Sequence, residues 1–185
     1  MYNCYTDIMI TFKDICAEKV LGKLTEVFNK GRTIKEFLEN SIGISFKNAE
    51  DPEYQGVIYD IHTYNNLIYI SVYTEHRPLV AMWKDVIRNF CDSDFYILFV
   101  SENDDTKEYW TNRPDYIDNY VVHSKGKGSN DYSPTEFSKM MSSFFETNGI
   151  CPEYMDSESL YEEAQYLDLN ISVHKYQWAE VGELK

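Results

Sequence analysis

Acidic side chains gather at two places along the chain. Glu102, Asp104, Asp105 and Glu108 run directly into Tyr109 and Trp110, and further on Glu158, Glu162 and Glu163 surround Tyr161. Carboxylates grouped in this way can ligate a hard cation, exchange protons with a substrate, or present negative charge to a partner. A calcium loop needs alternating ligands, a central glycine and a glutamate at its twelfth position, and the first group has none of these. Acid–base work needs one carboxyl shielded from water so that its pKa rises, and the polar neighbours of both groups predict exposure, the first as a solvated turn between strands. The remaining use is contact. Glu158 and Glu162 lie four apart on an expected helix, where like charges oppose each other by a few tenths of a kcal/mol, so helix stability gives no reason to keep them.

Other reactive side chains are scattered. Cys4, Cys16, Cys91 and Cys151 form no CxxC pair, and His62, His76, His123 and His174 have no metal-ligand spacing. The cysteines are expected to be small buried hydrophobes. The glycine–lysine stretch 125–129 lies between an expected strand and an expected helix, as a phosphate loop would, yet it does not match GxxxxGK[ST] and reads as a surface loop. No serine sits in a nucleophile elbow. The expectation is no catalytic residue, no metal and no cofactor.

Charge narrows the partners. The 185 residues carry a formal net charge of −14. Residues 1–45 are neutral, so the whole excess falls in 46–185, and 151–185 holds eight acidic residues against two basic. Direct binding to nucleic acid or to an anionic membrane needs the opposite sign. No apolar run approaches the roughly 20 residues that span a bilayer, and residues 1–12 lack the basic flank and apolar stretch of a signal peptide. A cytoplasmic protein is expected. Phe, Tyr, Met, Ile, Asn and Lys, all encoded by AT-rich codons, supply 73 residues while Ala supplies five. That bias suggests an AT-rich bacterium or its phages and plasmids. Tyrosine alone occurs 16 times, and its apolar ring with a polar tip suits half-buried sheet faces and contact surfaces alike.

The elements that must position these residues follow from periodicity. Alternation predicts strands over 4–12, 56–62, 67–74, 95–100, 119–123 and 170–178, with a turn at 64–66. Helical spacing predicts helices over 14–29 and 33–40, a third with Pro78 as its first residue, and a fifth over 157–167. Ser133-Pro134-Thr135-Glu136 is a capping box that opens the fourth, whose apolar stripe is Phe137, Met140, Met141, Phe144 and Phe145. A short strand is expected over 43–46 and a loop over 48–55. Through residue 100 the order is strand, helices, strand pair, helix, strand. Helices on one face of an antiparallel sheet in that order form the ferredoxin-like split βαβ sandwich, an α+β fold. The expected division is a core over 1–123 and an acidic C-terminal α/β elaboration over 124–185, packed on the same domain.

The opening Tyr2-Asn3-Cys4 followed by Ile8 and Ile10 resembles the start of the YubB-like ferredoxin-like family of plasmid and phage proteins. The resemblance continues over 67–100, through Thr74, Pro78, a helix bearing a large aromatic, and an aromatic-rich strand leading to Glu102. Tyr59-Asp60-Ile61-His62 stands where that family has a tryptophan-rich segment, and Phe90-Cys91 where it has an aromatic–proline pair. The resemblance covers about residues 1–110 and implies a fold and a mobile-element origin. The family has no settled activity to carry over.

These readings converge on a non-enzymatic acidic interaction protein from a mobile genetic element. It is expected to bind, and in the sharper version to inhibit, a basic host protein of the nucleic-acid-binding or defence kind, by nucleic-acid mimicry. The expected contact residues are Glu102, Asp104, Asp105, Glu108, Tyr109, Trp110, Glu158, Tyr161, Glu162 and Glu163. The competing expectation is an enzyme or small-ligand binder whose site is assembled from distant Tyr, His and carboxylate residues, with His62 or His123 facing inward.

Overall fold

The structure is a computed structural model that describes residues 4–13, 17–43, 54–75, 77–124, 128–167 and 169–183. Outside these fall Tyr2, Asn3, Cys16, His76, the start of the first expected helix, most of the expected strand over 43–46, most of the loop over 48–55, and residues 125–127.

Alternating residues build the larger layer. In β1 (Cys4–Phe12), Ile8, Ile10 and Phe12 are buried on one face while Tyr5, Asp7, Met9 and Thr11 point the other way. β3 (Leu67–Thr74) and β4 (Phe95–Asn103) flank it antiparallel, with Ile8 opposite Ile70 on one side and Phe99 on the other. β2 (Gly56–Tyr64) closes onto β3 through a two-residue turn, where Asn65 and Asn66 both take positive φ as a tight hairpin requires. A bulge separates Ile58 from Asp60 and re-aims the rest of β2. Gly56 admits no side chain, because a Cβ would lie 2.5 Å from the Tyr73 carbonyl oxygen. With the short β5 (Glu108–Thr111) and β9 (Gln177–Trp178), the order across the sheet is β2-β3-β1-β4-β5-β9. Among the described residues only the β5–β9 contact is parallel.

Three helices cover one face of this sheet. α1 (Ala17–Phe28) buries Ala17, Val20, Leu24 and Val27. α2 (Ile34–Ile42) opens with a Thr33–Glu36 capping box and ends at Gly43, whose φ of 69° suits a residue without Cβ. α3 (Val80–Phe90) buries Val80, Trp83, Val86 and Ile87. All three share one core with the inward residues of β1 to β4. Trp83 is fully buried at its centre, its ring 5.3 Å from that of Phe37 and its indole N–H without a partner among the described residues. Pro78 is not the first helical residue: Leu79 is the N-cap, at φ 20°, and it is drawn into the core.

The smaller layer is a second sheet, ordered β7-β6-β8 and antiparallel, built from β6 (Tyr120–Ser124), β7 (Gly128–Tyr132) and β8 (Ile171–Lys175). α4 (Pro134–Thr147) starts at the expected capping box, with the Glu136 carboxylate accepting from the Ser133 N–H at 3.1 Å. It buries Phe137, Met141 and Phe145 against Val122 and Tyr120, whose ring stacks on Phe137 at 4.0 Å. α5 (Ser157–Tyr166) adds Leu160 and Ala164 to that core and is capped by Asp156. The fold is α+β.

Several local readings change. Residues 128–129, read as surface loop, are the start of β7. The acidic stretch after residue 100 is the end of β4 and a hairpin into β5, turned by Lys107 at φ 59°. The last strand is two: the chain leaves the small sheet at Lys175, passes through Tyr176, and joins the large sheet at Gln177. The expected boundary at 123/124 falls inside β6. Of the cysteines, Cys4 is buried and burial pushes its thiol pKa up, whereas Cys151 is exposed. Among the described residues, no helix is long and apolar enough to cross a membrane.

Candidate functional site

The large sheet's outer face, away from the helices, is the chemically dense part of the molecule. It has two halves. Over β4 and β5 the small layer is packed onto it, joined by Val100, Tyr109, Val121 and Tyr176, with Tyr116 and Ile117 at the margin. Over β2, β3 and β1 it is open.

The covered half is a junction of tyrosines and carboxylates. Glu102 in β4 lies opposite Tyr109 in β5. The Tyr176 hydroxyl is 2.6 Å from Glu102 Oε1 and 2.9 Å from Asp131 Oδ1, and the Tyr116 hydroxyl donates to Asp131 Oδ2. Three oxygen–oxygen contacts thus share two hydroxyl protons. A proton on Glu102 supplies the third, since Glu102 can then donate to the Tyr176 oxygen while Tyr176 donates to Asp131. Burial first, and then the facing Asp131 carboxylate, push the Glu102 carboxyl up from 4.5 to about 7. Burial followed by the same carboxylates raises the Tyr176 hydroxyl far above its ordinary value. Beside this group, Asp104 accepts from the Tyr109 hydroxyl at 3.0 Å and from the Ser129 hydroxyl. His123 Nδ1 is 3.3 Å from Ser129 Oγ. Burial and then the Lys107 charge lower the pKa of His174, whose ring packs 5.4 Å from Tyr109.

Serine, histidine and aspartate therefore meet here, but in an order unsuited to nucleophilic catalysis. Asp104 takes the Ser129 proton directly, whereas an activated serine gives its proton to an imidazole that the acid orients. Among the described residues no group of three or more His, Cys, Asp or Glu could hold a metal ion. Hollows among the described residues lie elsewhere. One of about 480 Å³ lies between the small sheet and α4, with Val122, Met140, Phe144 and Ile171 in its lining; one of about 360 Å³ lies beside α3, near Lys84, Arg88 and Trp178. Neither is lined by a junction carboxylate.

The residues singled out by sequence separate into three settings. Glu102, Asp104 and Tyr109 turn into the junction, and Tyr109 is buried there. Trp110 packs against the main core. Asp105 and Glu108 stay exposed on the hairpin, Glu108 accepting from the Thr106 hydroxyl at 2.7 Å. On α5, Glu158 is held by Lys175, whose ammonium also lies over the rings of Tyr161 and Tyr120, leaving Glu162 exposed and Glu163 half-buried. Sequence reasoning missed Asp131, Ser129, Tyr116 and Tyr176. The segments of Tyr116, Ser129 and Asp131 lack apolar alternation; the only signals were the glycine–lysine stretch that ends at Ser129 and the expected strand over 170–178 that contains Tyr176.

It also missed the open half. Tyr59, Tyr64 and Tyr73 are exposed there, Tyr59 to 69%, and Tyr96 is exposed beside it at the start of β4. Asp7 and Asp60 flank Ser71 in one row across the sheet. Asp60 is 2.6 Å from His62 Nδ1, and the His62 ring stacks on Tyr69 at 5.2 Å. No protein-family model, curated protein or solved structure matches the chain.

Proposed function

We propose that this protein is a non-enzymatic interaction module of a mobile genetic element, which binds a basic host protein through an acidic, tyrosine-bearing surface and inhibits it. The observation that carries this reading is the open half of the outer sheet face. Several large rings are exposed side by side on a rigid sheet beside carboxylates, an arrangement that isolated exposed apolar residues do not produce. The Glu162 and Glu163 side chains on α5 add long-range attraction for a positive partner. The order β2-β3-β1-β4, antiparallel throughout with the helices on one face, supports a ferredoxin-like split βαβ layer. With it goes the YubB-like origin read from residues 1–110.

A second reading has one observation in its favour: a carboxyl raised to about 7 beside another acid is a frequent mark of acid–base catalysis. Against it, Glu102 Oε1 and both Asp131 carboxylate oxygens are occupied by tyrosine hydroxyls.

The test begins with affinity capture from host lysate at low and high salt and continues with binding kinetics on the captured protein. Glu162→Lys/Glu163→Lys should lower the association rate roughly tenfold at low salt and little at high salt. Glu158 is left intact because it anchors Lys175. Tyr59→Ala/Tyr64→Ala should raise the dissociation rate instead. Unchanged rates for both variants would return the acidity to a solubility role.

A further inference from the structure

We infer that the open half of the sheet face is a receptor for arginine side chains of an extended basic segment, with the Asp7 carboxylate as its anionic anchor. This rests on the binder reading and specifies the chemistry of its partner. Asp7 is exposed in the middle of β1. The Tyr5 hydroxyl at 2.7 Å and the Ser71 hydroxyl at 2.6 Å both donate to Oδ1, which fixes the carboxylate. Oδ2 accepts no hydrogen bond from the described residues, and no cation among them pairs with Asp7. Lys13, which lies over Tyr96, is bonded to Asp94, and Arg113 is bonded to Asp115.

Aromatic side chains wall the row in which Asp7 lies. On one side Tyr5 packs against Tyr73 with ring centres 4.8 Å apart. On the other, Met9 lies opposite Tyr69, which is itself opposite His62. Burial pushes the Tyr5 hydroxyl up to about 12, so it remains a donor to Asp7. A second acid position, Asp60, stands two strands away across Ser71, about 10 Å from Asp7 at the usual strand spacing. A planar guanidinium can lie on a ring while donating in its own plane to a carboxylate, which a compact ammonium does less well. Phosphates would be repelled by the same carboxylates. The row therefore selects an arginine-bearing peptide over nucleic acid.

The experiment is an NMR titration of the whole protein with a hexapeptide alternating arginine and serine, beside its citrulline and lysine counterparts. Amide shifts should concentrate at residues 5–9 and 69–73. The citrulline peptide should not bind, and the lysine peptide should bind more weakly than the arginine peptide. Asp7→Asn should weaken arginine-peptide binding about fivefold, while Glu162→Gln, the same charge change on α5, should weaken it less than about twofold. Tyr69→Leu, which keeps bulk and removes the ring, should also weaken it, with the amide spectrum reporting that each variant is folded. Shifts centred on α5, equal losses for Asp7→Asn and Glu162→Gln, or lysine and citrulline peptides binding as well as arginine would overturn the assignment. The kinetics of the captured partner are measured separately, so the binder reading can survive that failure, or fall without it.

Discussion

On the outer face of the six-stranded sheet, tyrosines and carboxylates are neighbours in both halves, yet they end in different states. Where the two layers meet, Glu102, Asp131 and Asp104 are half-buried, and hydroxyls from Tyr176, Tyr116, Tyr109 and Ser129 replace part of their water. Desolvation makes a second negative charge expensive there, so a proton is retained. On the open half Asp7 takes bonds from Tyr5 and Ser71 while facing solvent. What differs is coverage, not residue type. Covered, the pair becomes a joint between two layers. Uncovered, it offers a charge and a ring to something else.

The largest effect that tests this contrast is the pH dependence of stability. The Glu102 carboxyl, raised from 4.5 to about 7, keeps its proton in the fold over a range where the unfolded chain has lost it. Its contribution is therefore complete below about pH 4.5, declines as pH rises toward 7, and is gone above, a loss on the order of 2–3 kcal/mol. Carboxyls held low by bonds to their charged form, such as Asp94 with Lys13 and Asp115 with Arg113, act in the opposite direction, their contribution disappearing as pH falls below the carboxylate range. Denaturant titrations at several pH values between 5 and 7, on wild type and Glu102→Gln, isolate the junction. Wild type should lose stability relative to the variant across that window; parallel profiles would mean that Glu102 is not the group retaining the proton.

Next in size is Tyr176→Phe. Removing the shared hydroxyl takes one of two tyrosine donors from Asp131 and leaves the partly buried Glu102 carboxyl without its Tyr176 partner, at about 1–3 kcal/mol. Calorimetry should also show whether the small layer, whose β8 leads through Tyr176 into β9 of the large sheet, then melts separately. A single unchanged transition would remove Tyr176 as the joint. The smallest effect belongs to the open half. Tyr59→Ser and Tyr64→Ser should each change unfolding stability by no more than about 0.5 kcal/mol. A larger loss would mean these rings stabilise the fold and are not spare surface.

Apolar alternation in β1, β3 and β4, the stripes of α1 and α3, and the Ser133–Glu136 capping box made most of the large layer and the start of α4 legible in sequence. The hairpin from β4 to β5 and the strand β7 were not. Their junction-facing positions are Glu102, Ser129 and Asp131, half-buried polar side chains whose partners (Tyr176 for Glu102, Asp104 for Ser129, Tyr116 and Tyr176 for Asp131) come from elsewhere in the chain. A pattern search equates buried with apolar, so strands that bury hydrogen-bonded acids read as solvated loops. The composition of residues 102–110 marks them as a contact-forming stretch, but the direction in which Glu102, Asp104 and Tyr109 point is beyond a local pattern.

Sequence alone determined which segments alternate, where helices are capped, that the chain is strongly acidic, and that it is rich in tyrosine. These are local or summed properties, and neighbouring residues suffice to set them. Tertiary structure alone decided which tyrosines and acids are sealed together and which stay in water. That choice depends on where the small layer docks, and on the chain leaving one sheet at Lys175 to enter the other at Gln177. Whether a carboxyl keeps its proton follows from that packing, because desolvation and a facing charge act through space and not along the chain.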